Sequence, residues 1–187
     1  MAIATVEAHH WSRSEYQRLI SSGLFPPGQR MELIDGVIYD MAAQNSLHAT
    51  GYSLAEEALR AIFPPGSGFE VRGQLPLDLS DDSAPEPDVA VVRGSIRDFR
   101  DHHPTTAVLV VEVADNSLSH DRKRKTPIYA RAGIQEYWIL NLARKVLEVF
   151  REPLRGAYRL QATLRGGQAL ATLARPGVFL TVRDLLP

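Results

Sequence analysis

Apolar and polar residues alternate at changing periods along the chain, and each change of period marks a new element. "WSRSEYQRLISSG" (11–23) places Ser12 three residues before Glu15, a capping-box spacing, and closes on Gly23, which predicts a short helix over 13–21. "LFPPG" then interrupts the chain. In "RMELIDGVIYDMA" (30–42), Asp35-Gly36 sits between two apolar-rich arms, the strongest short-range hairpin signal. Met31, Leu33, Val37 and Tyr39 are expected to point inward, and Glu32 lies on the first arm. From Asn45 or Ser46 to about Phe63, apolar residues Leu47, Leu54, Ala55, Ala58, Leu59 and Ile62 recur at helical spacing until a second "PPG" stops them.

Three strand candidates follow: "FEVRGQLPLDL" (69–79), "DVAVV" (88–92) and "TAVLVVEVA" (106–114). The last two are too continuously apolar to face water on one side, so they are expected inside the sheet. "HDRKRKTPIYARAG" (120–133) reads as a helix closed by Gly133. Its Pro127 is tolerated only in a first turn, which leaves the start between 121 and 126. "IQEYWILN", "KVLEVFREP", "AYRLQATL" and "ALATL" predict further strands, and "TVRDLLP" a terminal helical turn. No repeat or low-complexity linker divides the chain, so one α/β or α+β domain over 1–187 is expected.

Composition narrows the function classes. The chain has 187 residues, 44% hydrophobic and 23% charged, enough for one compact domain and unlike a fibrous or disordered protein. With 21 Lys plus Arg against 22 Asp plus Glu, no whole-molecule positive field attracts nucleic acid, so any polyanion site is local. The absence of cysteine excludes disulfide frameworks, thiolate metal sites and cysteine nucleophiles, and suits a reducing compartment, so a cytoplasmic location is expected. The N-terminus has no basic flank followed by an apolar core, and no apolar run approaches the roughly 20 residues of a membrane span, so neither export nor membrane insertion is expected.

The chemistry begins with one glutamate in a run of valines. Glu112 shares a strand face with Val108 and Val110 near the strand's end. A buried carboxylate needs a partner, either a basic side chain or a metal ion. Asp88 opens "DVAVV" after "PEP", where the prolines fix an extended approach, so both carboxylates meet at one end if the two strands are neighbours. Two such carboxylates with water form the oxygen shell preferred by Mg²⁺, with Mn²⁺ as an alternative, and a substrate phosphate would complete it. Asp121 and Lys125 are one helical turn apart, as are Lys125 and Tyr129, so a helix over them puts Lys125 and Tyr129 on one face, with Lys125 within reach of the carboxylate pair.

Each feature also has a plain reading: Asp88 as a turn acid, Glu112 as a salt-bridged core residue, Arg122 to Lys125 as a solvated helix face. His48 lies on or beside the apolar face of its helix, as a packed histidine or a substrate contact, and stays outside the catalytic set. A different hydrolase finds little support: "GYSLA" is no nucleophile elbow, no phosphate-binding glycine loop occurs, and His102-His103 sits in a polar stretch.

The order Asp88, Glu112, Lys125, joined to "AGIQEYWIL" (132–140), resembles the Uma2 family of bacterial restriction-endonuclease-like proteins, within the PD-(D/E)XK nuclease superfamily. The resemblance runs from "ELIDG" (32–36), through His48 and "PEPDVAVV" (85–92), to "EYWIL" (136–140). It implies a restriction-endonuclease-like αβββαβ core with a central mixed sheet flanked by helices. That core would span 44–151, after an N-terminal helix and hairpin over 1–43 and before C-terminal strands over 152–187. The implied metal ligands are Asp88, Glu112 and the peptide carbonyl of Val113. The superfamily pattern places a lysine two positions after the glutamate, where this chain has Ala114. In the family the lysine is displaced onto the following helix in a "D...K...Y" pattern, matched by Asp121, Lys125 and Tyr129, with Lys123 as the other candidate. Glu32 resembles the N-terminal acid that assists such sites through water or metal; its plain reading is an exposed hairpin residue.

The resemblance implies Mg²⁺-dependent hydrolysis of DNA phosphodiester bonds by Asp88, Glu112, Lys125 and Glu32. Basic residues between 122 and 131 are expected to contact DNA phosphates without reading sequence. A homo-oligomer, dimer or tetramer, is expected because duplex cleavage cuts two strands. The rival is a catalytically silent member of the same fold acting in DNA binding or assembly, favoured by Ala114.

Overall fold

The computed structural model describes residues 7–26 and 28–187. The leading residues 1–6 and Pro27, which carried part of the reading of the N-terminus and of the "LFPPG" break, lie outside the described residues. Helix α1 (Arg13–Ser21) begins with the expected capping box: the Glu15 N–H donates to Ser12 Oγ and the Ser12 N–H to Glu15 Oε2. Strands β1 (Met31–Ile34) and β2 (Val37–Asp40) form the expected hairpin, with Asp35 at φ 48° and Gly36 at φ 73° in the left-handed region that a two-residue turn requires.

The hairpin's register corrects its expected inward face. Ile34 pairs with Val37, Leu33 with Ile38 and Glu32 with Tyr39. Opposed residues share a face, so Glu32 and Tyr39 lie on one side and Met31 and Leu33 on the other. Met31 and Leu33 are buried, but Val37, beside the turn, is 42% exposed. Glu32, read plainly as exposed, is 4% exposed.

Helix α2 (Ser46–Ile62) is capped by Asn45, whose side chain accepts from the His48 N–H at 2.9 Å. Strands β3 (Phe69–Gly73), β4 (Val89–Arg93) and β5 (Leu109–Ala114) follow. β3 is shorter than its apolar pattern suggested: Gln74 turns left-handed at φ 51°, and the Leu77 N–H pairs with the Pro85 carbonyl instead of with a strand neighbour. The next helix starts earlier than expected. Helix α3 (Leu118–His120), a π-helical turn (Asp121–Lys125) and α4 (Thr126–Arg131) run on without a break. Strands β6 (Glu136–Asn141), β7 (Val146–Leu154) and β8 (Ala157–Arg165) complete a six-stranded sheet in the order β3-β4-β5-β6-β7-β8. Within it β5 and β6 are parallel and the other neighbours antiparallel, and a parallel pair needs a crossover such as α3 to α4. From α2 to β6 the elements follow the order αβββαβ, and β4 and β5 are internal, as their sequences required. "ALATL" contributes only β9 (Ala169–Ala171), which pairs with β10 (Phe179–Thr181) before a 3₁₀ turn (Val182–Leu185).

Alternate residues feed two cores. Val89, Val91, Leu109, Val111 and Val113 pack with α2 and the C-terminal segment. Ala90, Val92, Val110 and Ala114 pack with Ile34, Ile128 and Tyr129 on the other face. Glu112 has the parity of Val110 and Ala114, so it faces α4. Val108 was expected beside it, but it precedes the strand and packs on the α2 side.

Candidate active site

Strand register brings the two acids level. Val89 pairs with Val111, so the next step outward sets Asp88 beside the Glu112–Val113 peptide, and the Val113 N–H donates to Asp88 Oδ2 at 2.8 Å. His48 Nε2 lies 3.3 Å from the same oxygen. Gly51, one turn along α2, permits that approach: a Cβ there would lie 3.1 Å from Val113 Cγ1 and 3.2 Å from Leu142 Cδ2.

From the opposite face, Tyr129 donates its hydroxyl to Glu112 Oε1 at 2.7 Å and Lys125 Nζ donates to the same oxygen at 3.1 Å. Lys125 Nζ also lies 3.0 Å from Glu32 Oε2, so one ammonium bridges β5 and the hairpin. The π turn explains why only one cation of "RKRK" enters. Pro127 has no N–H to return to Lys123, and the Thr126 N–H bonds Asp121 O across the wider turn. Asp121 and Lys125 point inward while Arg122, Lys123 and Arg124 stay exposed. Lys123, the other candidate, lies on the exposed side, away from the carboxylates. Ala114, where the simple motif has lysine, is fully buried among apolar side chains, so a charge would have no solvated exit there.

Glu32, Asp88, Glu112 and Asp121 are buried around a cleft of about 260 Å³ against a single buried ammonium, Lys125. Burial opposes the charge of Glu32, but the Lys125 ammonium, aided by His120 and the Glu86 N–H, holds its carboxyl down at about 2. Burial pushes Glu112 well up, past what Lys125 offsets, and Asp121, Asp88 and Glu32 add like-charge repulsion. Burial raises Asp121 as well, although Ser117 Oγ donates to it at 2.6 Å. Burial disfavours the Lys125 ammonium too, yet Glu112, Glu32, Asp121 and Asp88 push its pKa well up, so it stays charged. The hydrogen bond to Asp88 raises His48.

The side chains present would supply a hard divalent cation with only part of its oxygen shell. Among the described residues, no three acidic or histidine side chains converge to enclose a metal by themselves. Asp88 accepts through Oδ2 and Glu112 through Oε1, and among the described residues the second oxygen of each accepts nothing. Two carboxylate oxygens and a carbonyl would leave the remaining positions to water and phosphate, as Mg²⁺ prefers. The group of Val113 seen engaged with Asp88 is its N–H.

The structure thus gathers Glu32, Asp88, Glu112, Asp121, Lys125 and Tyr129 as one cluster, with Glu32 rather than Asp88 as the second partner of Lys125. His48, left open as a packed histidine or a substrate contact, lines the cleft beside Asp88. His120 was missed altogether: it lines the cleft, stacks edge-on against Tyr39 at 4.8 Å and places Nε2 3.4 Å from Glu32 Oε1 without a hydrogen bond. Its only sequence signal is its place directly before Asp121. Two of the basic residues expected to meet DNA are engaged with acids: Arg122 bonds Glu148 through Nε at 2.9 Å, and Arg131 pairs with Asp35.

A family model described as "Uma2: Putative restriction endonuclease" matches residues 13–183. The chain belongs to the Uma2 family. Among solved structures, this Uma2 chain is similar to "a putative nuclease belonging to DUF820" from Anabaena variabilis ATCC 29413, with a TM-score of 0.75 and 15% identity over 93% of this chain and 96% of that one. That likeness establishes a shared fold. None of the curated proteins compared with the Uma2 chain matches it. Among the described residues, no helix is long and apolar enough to cross a membrane.

Proposed function

We propose that the cleft hydrolyses DNA phosphodiester bonds with Mg²⁺ or Mn²⁺ held by Asp88, Glu112 and the Val113 carbonyl. The observation that carries this reading is the surplus of buried acids, four carboxyl groups beside one ammonium in an open cleft. The family description supports DNA as the substrate. A divalent cation bound here would polarise the scissile phosphate and lower the pKa of a coordinated water.

The chain's own residues hold the geometry. The Val113 N–H and His48 fix Asp88 through one oxygen, and Tyr129 fixes Glu112 through one oxygen, which leaves the other oxygen of each for the cleft. Lys125, steadied by Glu32, orients the attacking water and stabilises charge building on the phosphate. Each chain carries one such cluster, so cutting both strands of a duplex calls for a homo-oligomer, and the cytoplasm is where such an enzyme meets its DNA.

A second reading, a silent member of the fold acting in DNA binding or assembly, is favoured by the double ion pairing of Lys125 and by Ala114 at the usual lysine position. Supercoiled plasmid at low salt, with Mg²⁺, Mn²⁺ or chelator, separates the two. The expected result is metal-dependent nicking, abolished in Asp88→Ala and reduced about 10²-fold or more in Lys125→Ala. Cleavage surviving in Asp88→Ala would place the activity elsewhere. DNA binding with no cleavage under either metal would favour the silent scaffold.

A further inference from the structure

The two outer edges of the central sheet are unlike. β3, at one end, has five residues, whereas β8, at the other, has nine, and residues 159–163 of β8 are all exposed. Among the described residues, β8 pairs only with β7, so its outer N–H and C=O groups have no strand partner. Such an edge is a template for another strand, and chains that stay apart usually blunt it with lysine, proline or inward charge. "AYRLQATLR" has neither lysine nor proline, and its charges are two exposed arginines, Arg159 and Arg165, either side of an uncharged middle.

Those two arginines select a register. Antiparallel pairing of β8 with a second β8 about an axis at Gln161 sets Arg159 opposite Thr163, Arg165 opposite Ala157 and Leu160 opposite Ala162. Moving the axis one residue to Ala162 would oppose Arg159 to Arg165, and moving it to Leu160 would oppose Arg165 to Arg155 of the β7–β8 turn. Like charges directly opposed destabilise a strand pair, so only the Gln161 axis among these three avoids a penalty. We propose that β8 pairs with β8 of a second copy of this chain, antiparallel and centred on Gln161, joining two central sheets into one. The pairing satisfies the open backbone groups and covers Leu160, which is 51% exposed. It rests on the edge alone and is independent of the proposed hydrolysis.

The chain contains no cysteine, so a single Gln161→Cys reports the axis cleanly. The wild type should sediment at twice the monomer mass, and a short bismaleimide should convert Gln161→Cys to covalent dimer while leaving Glu57→Cys, on the exposed side of α2, monomeric. Gln161→Lys, which puts like charges together at the axis, should sediment as monomer with its circular dichroism unchanged. A wild type that sediments as monomer would overturn the proposal. So would a dimer that survives Gln161→Lys, or equal cross-linking through positions 161 and 57.

Discussion

Glu136, at the start of β6, and Glu112, on neighbouring β5, are both buried acids of one sheet, but their surroundings differ. Glu136 Oε1 accepts from Trp138 Nε1 at 3.0 Å and from Arg151 Nε at 2.9 Å, and its Oε2 accepts the Leu173 N–H at 2.7 Å. One acid meets one guanidinium, and both oxygens are used. Arg151 also donates to the Ala171 carbonyl at 2.7 Å, so the cluster fastens the C-terminal segment to the sheet. Around Glu112, four acids crowd beside one ammonium that pairs with Glu32 and Glu112, and one oxygen on each of Asp88 and Glu112 accepts no hydrogen bond among the described residues. Buried charge alone therefore does not mark a site. Unrelieved like charge beside open acceptor positions does, because a fold keeps such strain where a ligand relieves it.

The strongest test of this contrast removes Glu136. Glu136→Ala should lower stability in urea by about 3–5 kcal/mol, since it leaves a guanidinium and the Leu173 N–H without their acceptor. Asp121→Asn should leave stability at neutral pH unchanged or higher, because it removes one of the crowded charges. Equal losses in the two variants would erase the distinction.

Acid titration probes the opposite signs within the cleft. Glu32 is held at about 2 against an ordinary 4.5, so its contribution is present above pH 4.5 and lost as pH falls toward 2. Glu32→Gln should remove up to about 3 kcal/mol of that acid-side slope. Asp121 is raised, so its favourable contribution is present at low pH and lost as pH rises through its folded value. Asp121→Asn should flatten that second limb.

Divalent cations should stabilise the wild type by about 2.7 kcal/mol at about 100-fold excess over Kd, read as a shift in melting temperature. Asp88→Asn should lose the shift, while Arg151→Lys, in the balanced cluster, should keep it. Tyr129→Phe, which deletes one donor to Glu112, should cost about 1.5 kcal/mol and weaken cation binding. The smallest effect belongs to the surface: Arg131→Ala, breaking a half-exposed pair with Asp35, should change stability by about 0–1 kcal/mol.

Features that depend on near neighbours were readable in advance. The Ser12–Glu15 box and the Asp35-Gly36 turn each close bonds within a few residues, and each forms, while the start of α2, left between Asn45 and Ser46, falls with Asn45 as its cap. The apolar runs around Val91 and Val111 were long enough to demand an internal strand. Asp88, Glu112 and Lys125 were visible because burying charge needs a reason wherever it falls. Glu32 was harder: its strand alternates plausibly as an exposed arm, and its burial follows from a backbone bridge between Leu33 and Ala84, fifty-one residues away by numbering. His48 was placed on or beside the apolar face of its helix, but its meeting with Asp88 was not legible, and His120 had no signal beyond its place directly before Asp121.

The sequence by itself determined the main order of elements, the first helix cap, the hairpin turn, the internal strands, and the acid, acid, lysine series. Those follow from periodicity, backbone preference and the cost of burying charge, all of which act along the chain. Tertiary structure decided that Glu32 shares Lys125 with Glu112, that His48 meets Asp88, that Lys125 rather than Lys123 turns inward, and that Val37 is exposed. Each of these depends on strand register, a π turn, or the packing of elements distant in sequence, and residue spacing does not encode them.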